Sequence, residues 1–527
     1  MNADLPAAAY GERVLAERLG PIEEPVQAAL DELSERDAVT RAWQGDHSLW
    51  KPDPEEVADR LGWLESPAEM SATVDDLKTF AAGVAEDGYT AVVLSGMGGS
   101  SIFAQTVAQH FPPRPGFPRL HVLDSTDPAA IRRAENAAPL DEIFFLIASK
   151  SGTTIETRAH LSYFWHLTGR RGEQFAAITD HDTPLARLAH EHGFRALFEN
   201  RPDIGGRYAA LTHFGLVPAA LAGVDVAGLL SRAAVMAQTC APRTPIDENP
   251  AARLAAILAA AARKGRDKLT LLLPPEIDRF GSWLEQLVAE STGKHGTGIV
   301  PVIDEPPPTT RSIEVYGDDR LFVTFGSLPG GEELAGDHPL VELPLNEIID
   351  LGGEVFRWEF ATALVGVLLG LNPFDQPDVV AAKEATAEAL AGSREGPIAP
   401  LEPMLELVRP GDYLAILAYV DPGAPVVGAL QRVRAVLRDR LNVATMLCVG
   451  PGYLHSTGQL HKGGRESGVF LLVVGEDVEE LPIPGTAHGF STLKRAQAAG
   501  DLAALRRRGR RAARVDLDEL LALGRWP

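Results

Sequence analysis

Short, largely apolar runs separated by helical stretches come in two sets along this chain, and this repetition limits the fold more than any other feature. The first set is Thr90–Ser95, Leu120–Asp124, Ile143–Ala148 and Phe175–Thr179. The second is Lys268–Pro274, Gly298–Ile303, Leu321–Phe325 and Leu340–Leu343. A strand with one wet face alternates apolar and polar residues. Ile143-Phe-Phe-Leu-Ile-Ala148 does not alternate, so both its faces must be covered. Such runs, joined by helices of roughly a dozen residues, predict α/β units built on parallel sheets with helices on both sides. A smaller third set, Tyr413–Val420, Ala444–Val449 and Val469–Val474, predicts another α/β segment near the end.

At 527 residues the chain has room for about three domains. Residues 1–70 read as a helical N-terminal arm, with Pro52 and Pro54 opening one of its helices. The two larger α/β domains are expected at 71–240 and 241–395, the second closing with a helix through about residue 391. Proline and glycine mark a boundary near 393–403, and 396–527 forms the C-terminal segment. The Arg506–Arg514 run reads as the basic face of a last helix. Phe360–Phe374 is the longest uncharged apolar stretch. It is shorter than the ~20 residues that span a bilayer and reads as a buried core helix.

The formal net charge of −23 opposes nonspecific binding to nucleic acid or to an anionic membrane. An anionic substrate would need local donors that outweigh this field. Two cysteines, Cys240 and Cys448, supply neither a four-ligand metal site nor a disulfide framework, and read as buried thiols of a reducing compartment. Met1–Arg13 lacks a basic start followed by an apolar run, so no signal peptide is expected and the location is expected to be cytoplasmic.

Two loops follow strands of the first domain. Ser95-Gly-Met-Gly-Gly-Ser-Ser101 contains the Gly99–Ser100 turn, and Ser149-Lys-Ser-Gly-Thr-Thr154 opens a helix. Loops at the carboxyl ends of parallel strands are where such sheets bind ligands. Glycine allows backbone N–H groups to approach an anion, and hydroxyls and a helix N-terminus add donors. Ser149, Ser151, Thr153 and Thr154, with Lys150 among them, point to phosphate. Neither loop has the G-x-G-x-x-G or Walker A spacing of nucleotide sites.

In the second domain, Gln286 and Glu290 stand one helical turn apart, with Gly293 suited to the C-cap. By helix position alone Glu290 reads as an ordinary solvated carboxylate. Further on, Asp375 suits an N-cap with Pro377 in the first turn, and Gln376 and Lys383, seven apart, would share a helix face. Gly205-Gly-Arg207-Tyr208 holds an arginine in a tight turn.

The Gly98–Ser100 loop, Ser149–Thr154, Gly205–Tyr208, Glu290-Ser-Thr-Gly-Lys294 and Phe374-Asp-Gln-Pro377 occur together in an order that resembles the glucose-6-phosphate isomerases, with their tandem sugar-isomerase domains. Leu454–Gly464 and Phe490–Gln497 resemble the isomerase half of bacterial transaldolase–isomerase fusions, with no transaldolase half expected here. The resemblance implies interconversion of glucose 6-phosphate and fructose 6-phosphate by ring opening and a cis-enediol, without metal or organic cofactor, in a homodimer. It implies Glu290 as the base, Arg207 as stabiliser of the enediolate and Lys383 as a ring-opening group. Gln286 and Gln376 would hold substrate oxygens, and Gly99, Ser100 and the 149–154 loop would clamp the phosphate. The longer members of the family place a histidine from the second subunit between base and lysine. Here only His295 and His338 lie in that interval, outside the motif, so His455 and His461 rank ahead of them. Two rivals remain open at this level: an isomerase that also accepts mannose 6-phosphate, and a sugar-phosphate sensor without catalysis.

Overall fold

The strand Ile143–Ala148 shows why its sequence does not alternate. Ile143, Phe145 and Ile147 enter one hydrophobic core, while Phe144, Leu146 and Ala148 enter another on the opposite face of the sheet. Side chains still alternate along the strand, but both sides are dry. Tyr413–Tyr419 behaves the same way: Tyr413, Ala415, Leu417 and Tyr419 pack on one side, and Leu414, Ile416 and Ala418 on the other.

The computed structural model describes residues 16–307, 313–326, 333, 335–390, 392 and 396–524. It contains fourteen described strands in three sheets. The N-terminal arm contributes β1 (Ala16–Arg18). The first domain contributes β2 (Ala91–Ser95), β3 (Arg119–Leu123), β4 (Ile143–Ala148), β5 (Phe175–Asp180) and β6 (Ala196–Asn200), all parallel, in the order β3-β2-β4-β5-β6. The second sheet contains β7 (Lys268–Leu272), β8 (Val300–Val302), β9 (Arg320–Phe325) and β10 (Leu340–Leu343). Its order is β1-β10-β9-β7-β8, parallel except for β1, which runs antiparallel along the β10 edge. The third is the parallel sheet β12-β11-β13-β14, with β11 (Tyr413–Tyr419), β12 (Ala444–Val449), β13 (Gly468–Val474) and β14 (Arg511–Arg514).

Several sequence expectations need correction. The arm is not wholly helical, since Ala16–Arg18 closes the edge of the second sheet. Pro52 and Pro54 open turns, and the next helical residues begin at Gly62. The edge strand β6 was not anticipated. The Arg506–Arg514 run is not one helical face: helix Phe490–Arg507 ends, Gly509 turns with φ +72°, and Arg511–Arg514 pairs with β13. The apolar stretch near Phe360 lies mostly in helix Leu351–Leu369, buried almost throughout, and ends at Gly370. No helix among the described residues is long and apolar enough to cross a membrane. Helix Val379–Leu390 packs lengthwise on helix Phe490–Arg507, so the expected boundary near 393–403 separates helices that touch.

Candidate active site

Helix Phe280–Thr292 carries Gln286 and Glu290 on one face, as their spacing requires. That face does not meet water. Glu290 is only 6% exposed, so it is not a solvated helix carboxylate. Its Oε1 lies 3.0 Å from a guanidinium nitrogen of Arg207, and its Oε2 accepts a 3.3 Å hydrogen bond from Gln286 Nε2. A buried carboxylate needs such partners to stay charged.

Arg207 stands in the short 3-10 turn Gly206–Tyr208 and is itself buried. Besides Glu290, it donates to Ser291 Oγ at 2.9 Å and to the carbonyls of Pro373 and Asp375 at 2.6 and 2.9 Å. Lys294 joins it from the end of the Glu290 helix. Its Nζ donates to the carbonyls of Asn372 and Asp375 at 2.9 and 2.7 Å, and to Asp375 Oδ1 at 2.7 Å. Burial and the neighbouring Arg207 push the Lys294 ammonium down to about 8, against the pull of Asp375. Asp375 is therefore not an N-cap. The helix begins at Val379, and Gln376 lies ahead of it, exposed, so it shares no helix face with Lys383. Lys383 lies within helix Val379–Leu390, and its side chain is outside the described residues.

The glycine turn meets this cluster. Gly98–Ser100 forms a 3-10 turn with Gly98 at φ +57°. A Cβ on Gly98 would lie 2.7 Å from the His455 carbonyl oxygen and 3.0 Å from Gln286 Nε2, and one on Gly99 would strike the Gly206 backbone. Gln286 Nε2 donates to that His455 carbonyl at 2.8 Å. Beside the turn, at the end of β4, Ser149 Oγ and Thr154 Oγ1 are 3.0 Å apart and Ser151 Oγ and Thr153 Oγ1 are 2.8 Å apart. Thr154 occupies the N-cap of helix Ile155–Leu167 but makes no side-chain cap. The hydroxyls of this loop thus bond one another and the Thr153 N–H instead of capping the helix. Lys150 is turned to the Asp180 carboxylate and to the Pro202 carbonyl, the latter at 3.0 Å.

The two candidate histidines separate clearly. His455 Nε2 lies 3.0 Å from Glu156 Oε1, and Gln497 Nε2 donates to the same oxygen at 2.7 Å. Burial works to raise the Glu156 carboxyl, but the His455 ring beside it holds it below its ordinary value. His461 is buried in the third core instead, with Nδ1 3.1 Å from Tyr413 Oη and Nε2 3.7 Å from Cys448 Sγ. Burial drives its imidazole well below the usual range. His338 packs against Tyr316 and Phe322, and His295 is exposed.

Sequence reasoning assigned no role to Glu156 or Lys294. An acid in a first helical turn is commonplace, so nothing local marked Glu156, and Lys294 entered only as the last residue of the Glu290–Lys294 motif. Cleft size is no guide: a cleft of about 750 Å³ is lined by Gln105, Asp124, Glu285, Asp304, Arg434 and Ser456, but not by Glu290 or the 149–154 loop. Among the described residues no group of three or more His, Cys, Asp or Glu is placed to hold a metal ion.

The Phosphoglucose isomerase family profile matches residues 65–305. The glucose-6-phosphate isomerase of Thermosynechococcus vestitus is 30% identical over 400 residues, covering 66% of this chain and 74% of the relative. A probable glucose-6-phosphate isomerase of Haloarcula marismortui is 28% identical over 351 residues, covering 57% and 78%. In fold, a crystal structure of a hypothetical protein from Thermus thermophilus matches with TM-score 0.60 at 23% identity, over 72% of this chain and all of that one. A glucose-6-phosphate isomerase from Chlamydia trachomatis matches with TM-score 0.58 at 17% identity, over 69% and 86%. The fold is therefore that of tandem sugar-isomerase domains, and by its sequence relatives the chain belongs to the glucose-6-phosphate isomerase family.

Proposed function

We propose that this chain interconverts glucose 6-phosphate and fructose 6-phosphate with Glu290 as the base that moves a proton between C2 and C1. The observation that carries this reading is the setting of Glu290: a buried carboxylate between Arg207 and Gln286, at the meeting point of the two glycine turns. Removal of the C2 proton leaves an enediolate, and a fixed guanidinium in a dry site stabilises that charge far better than water does. Arg207 supplies it. A carboxylate that takes the proton from one carbon and returns it to the next needs no other shuttle.

The 149–154 hydroxyls, the helix N-terminus behind them and the Gly99–Ser100 turn clamp the phosphate, which fixes the reacting carbons. Lys150, tied to Asp180, shapes this loop rather than reaching into it. His455, backed by Glu156, exchanges the proton on the ring oxygen during opening, a role that His461 and its two core partners do not fit. Lys383 assists ring opening, and Gln376 holds a substrate oxygen. Domains at 71–240 and 241–395, an arm at 1–70 and a segment at 396–527 frame the site, in a cytoplasmic homodimer. Light scattering at twice the 56.4 kDa chain mass checks the dimer.

The test is turnover of fructose 6-phosphate in a coupled assay, with mannose 6-phosphate in parallel. Robust turnover of the first and at least ~100-fold weaker turnover of the second supports the assignment, since inversion at C2 turns the hydrogen to be removed away from the base. Comparable rates on both replace it with dual specificity. With Ser149→Ala and Thr154→Val together, KM rises at least tenfold if this loop holds the phosphate.

A further inference from the structure

We infer that Gln459 is a positioning residue that sets the distance between the helix of the base and the helix of Lys383. This rests on the reading of Glu290 and Lys383 given above. Gln459 belongs to the short helix Gly458–Gly463 of the C-terminal segment and is 1% exposed. Its Nε2 donates to the Gly293 carbonyl at 3.1 Å and to Asp378 Oδ2 at 2.7 Å, and its Oε1 accepts from the Asp378 N–H at 3.0 Å. Gly293 is the C-cap of helix Phe280–Thr292, and Asp378 directly precedes helix Val379–Leu390. One primary amide therefore joins the tail of the first helix to the head of the second.

The orientation of that amide is fixed. Exchanging its oxygen and nitrogen would set oxygen against the Gly293 carbonyl and the Asp378 carboxylate, and nitrogen against an N–H. The clasp is also tight. A Cβ on Gly293 would lie 2.5 Å from Leu460 Cα, and one on Gly463 would lie 2.3 Å from Asp378 Oδ2 and 2.6 Å from Gln459 Nε2. From the same segment Arg508 pairs with the other Asp378 oxygen. A neighbouring side chain that satisfied only one of the two helices would hold that helix and leave the other free to shift. Gln459 satisfies both, and a misplacement of about 1 Å between reacting groups costs on the order of 100-fold in rate.

The test compares Gln459→Met, which fills the space without the amide, with Gln459→Glu, which keeps the acceptor. In Gln459→Met, kcat falls by about 10- to 100-fold while KM for fructose 6-phosphate changes less than about threefold, because the phosphate loop lies on another sheet. In Gln459→Glu the ionised carboxylate faces Asp378. Protonation restores one donor, so its activity relative to wild type rises as pH is lowered from about 8 to about 6, whereas the Met deficit stays constant. A Met variant within twofold of wild-type kcat overturns the inference, and so does a Glu variant that tracks the Met variant at every pH. If Gln459→Met does not fold, the pH recovery of Gln459→Glu decides alone. Glu290→Gln is assayed alongside: retained turnover there refutes the underlying reading, while loss there with active Gln459 variants refutes only the clasp.

Discussion

Replacing His455 with alanine separates the two histidine assignments and has consequences that can be worked from the geometry. The ring's Nε2 is 3.0 Å from Glu156 Oε1, and Glu156 is 2% exposed with its Oε2 lacking a hydrogen-bond partner. Without the ring, that carboxylate keeps its hydrogen bond from Gln497 but loses its charged neighbour. Removing one member of a buried charged pair costs ~3–5 kcal/mol. The His455 side chain is 22% exposed, so water can replace part of what is lost, and the low end, about 3 kcal/mol, is expected. Loss of a positioned proton-transfer group should lower kcat/KM by about 10²–10⁴-fold, or ~2.7–5.5 kcal/mol in the barrier. The two effects separate in His455→Gln, whose amide can still donate to Glu156 but cannot carry a proton. That variant regains most of the thermal midpoint and none of the rate. His461→Leu should lose about 1 kcal/mol with the Tyr413 hydrogen bond and keep kcat/KM within about threefold. The coupled assay and thermal unfolding, run on all four proteins, decide the matter. His455→Ala within threefold of wild type, or His461→Leu as slow as His455→Ala, refutes the reasoning.

Two further outcomes follow from the same cluster. Lys294 titrates near 8 in the folded chain, below its ordinary 10.5, so turnover should fall along an alkaline limb centred near pH 8 as the Asp375 clamp loses its charge. Below about pH 8 both folded and unfolded chains hold this proton. Between the two values only the unfolded chain does, so this group's contribution to stability rises with pH while activity falls. The limb should disappear from the pH profile of Lys294→Met, and its persistence there would assign it elsewhere. Gly98→Ala puts a side chain at φ +57° and within 2.7 Å of the His455 carbonyl. It should cost about 2–3 kcal/mol in unfolding and at least tenfold in kcat, from left-handed strain of ~1–2 kcal/mol plus one hydrogen bond of about 1. Gly88→Ala, at φ +85° with nothing within 4 Å, serves as a control that carries strain without loss of turnover.

The strands that are legible in the sequence are those buried on both faces. β4 and β11 contain no charged residue and stand out at once. Arg511-Ala-Ala-Arg514 does not, because its arginines are spent on tertiary partners. Arg511 reaches both oxygens of Asp412 at 2.6 and 2.9 Å. The strand β6, Ala196–Asn200, is a half-wet edge and too polar to register. At the site, local spacing put Gln286 and Glu290 on one helix face, but the roles of Glu290 and Arg207 came from the resemblance, since position alone made Glu290 a solvated carboxylate. Local spacing was not enough for Glu156 and His455, which meet across 299 residues of chain. The N-cap expected at Asp375 failed because a buried lysine needs a carboxylate more than a helix end needs a cap.

Glu290 is the point on which the rest depends. Glu290→Gln keeps the shape of the side chain and one acceptor oxygen for Arg207, but cannot accept a proton from carbon. The decisive measurement is the isomerisation of glucose 6-phosphate deuterated at C2, followed by proton NMR. Wild type should show a primary isotope effect and Glu290→Gln at least a 1,000-fold lower rate, ~4 kcal/mol in the barrier, with KM for the phosphate ester little changed. Turnover by Glu290→Gln within tenfold of wild type would contradict the assignment of the base.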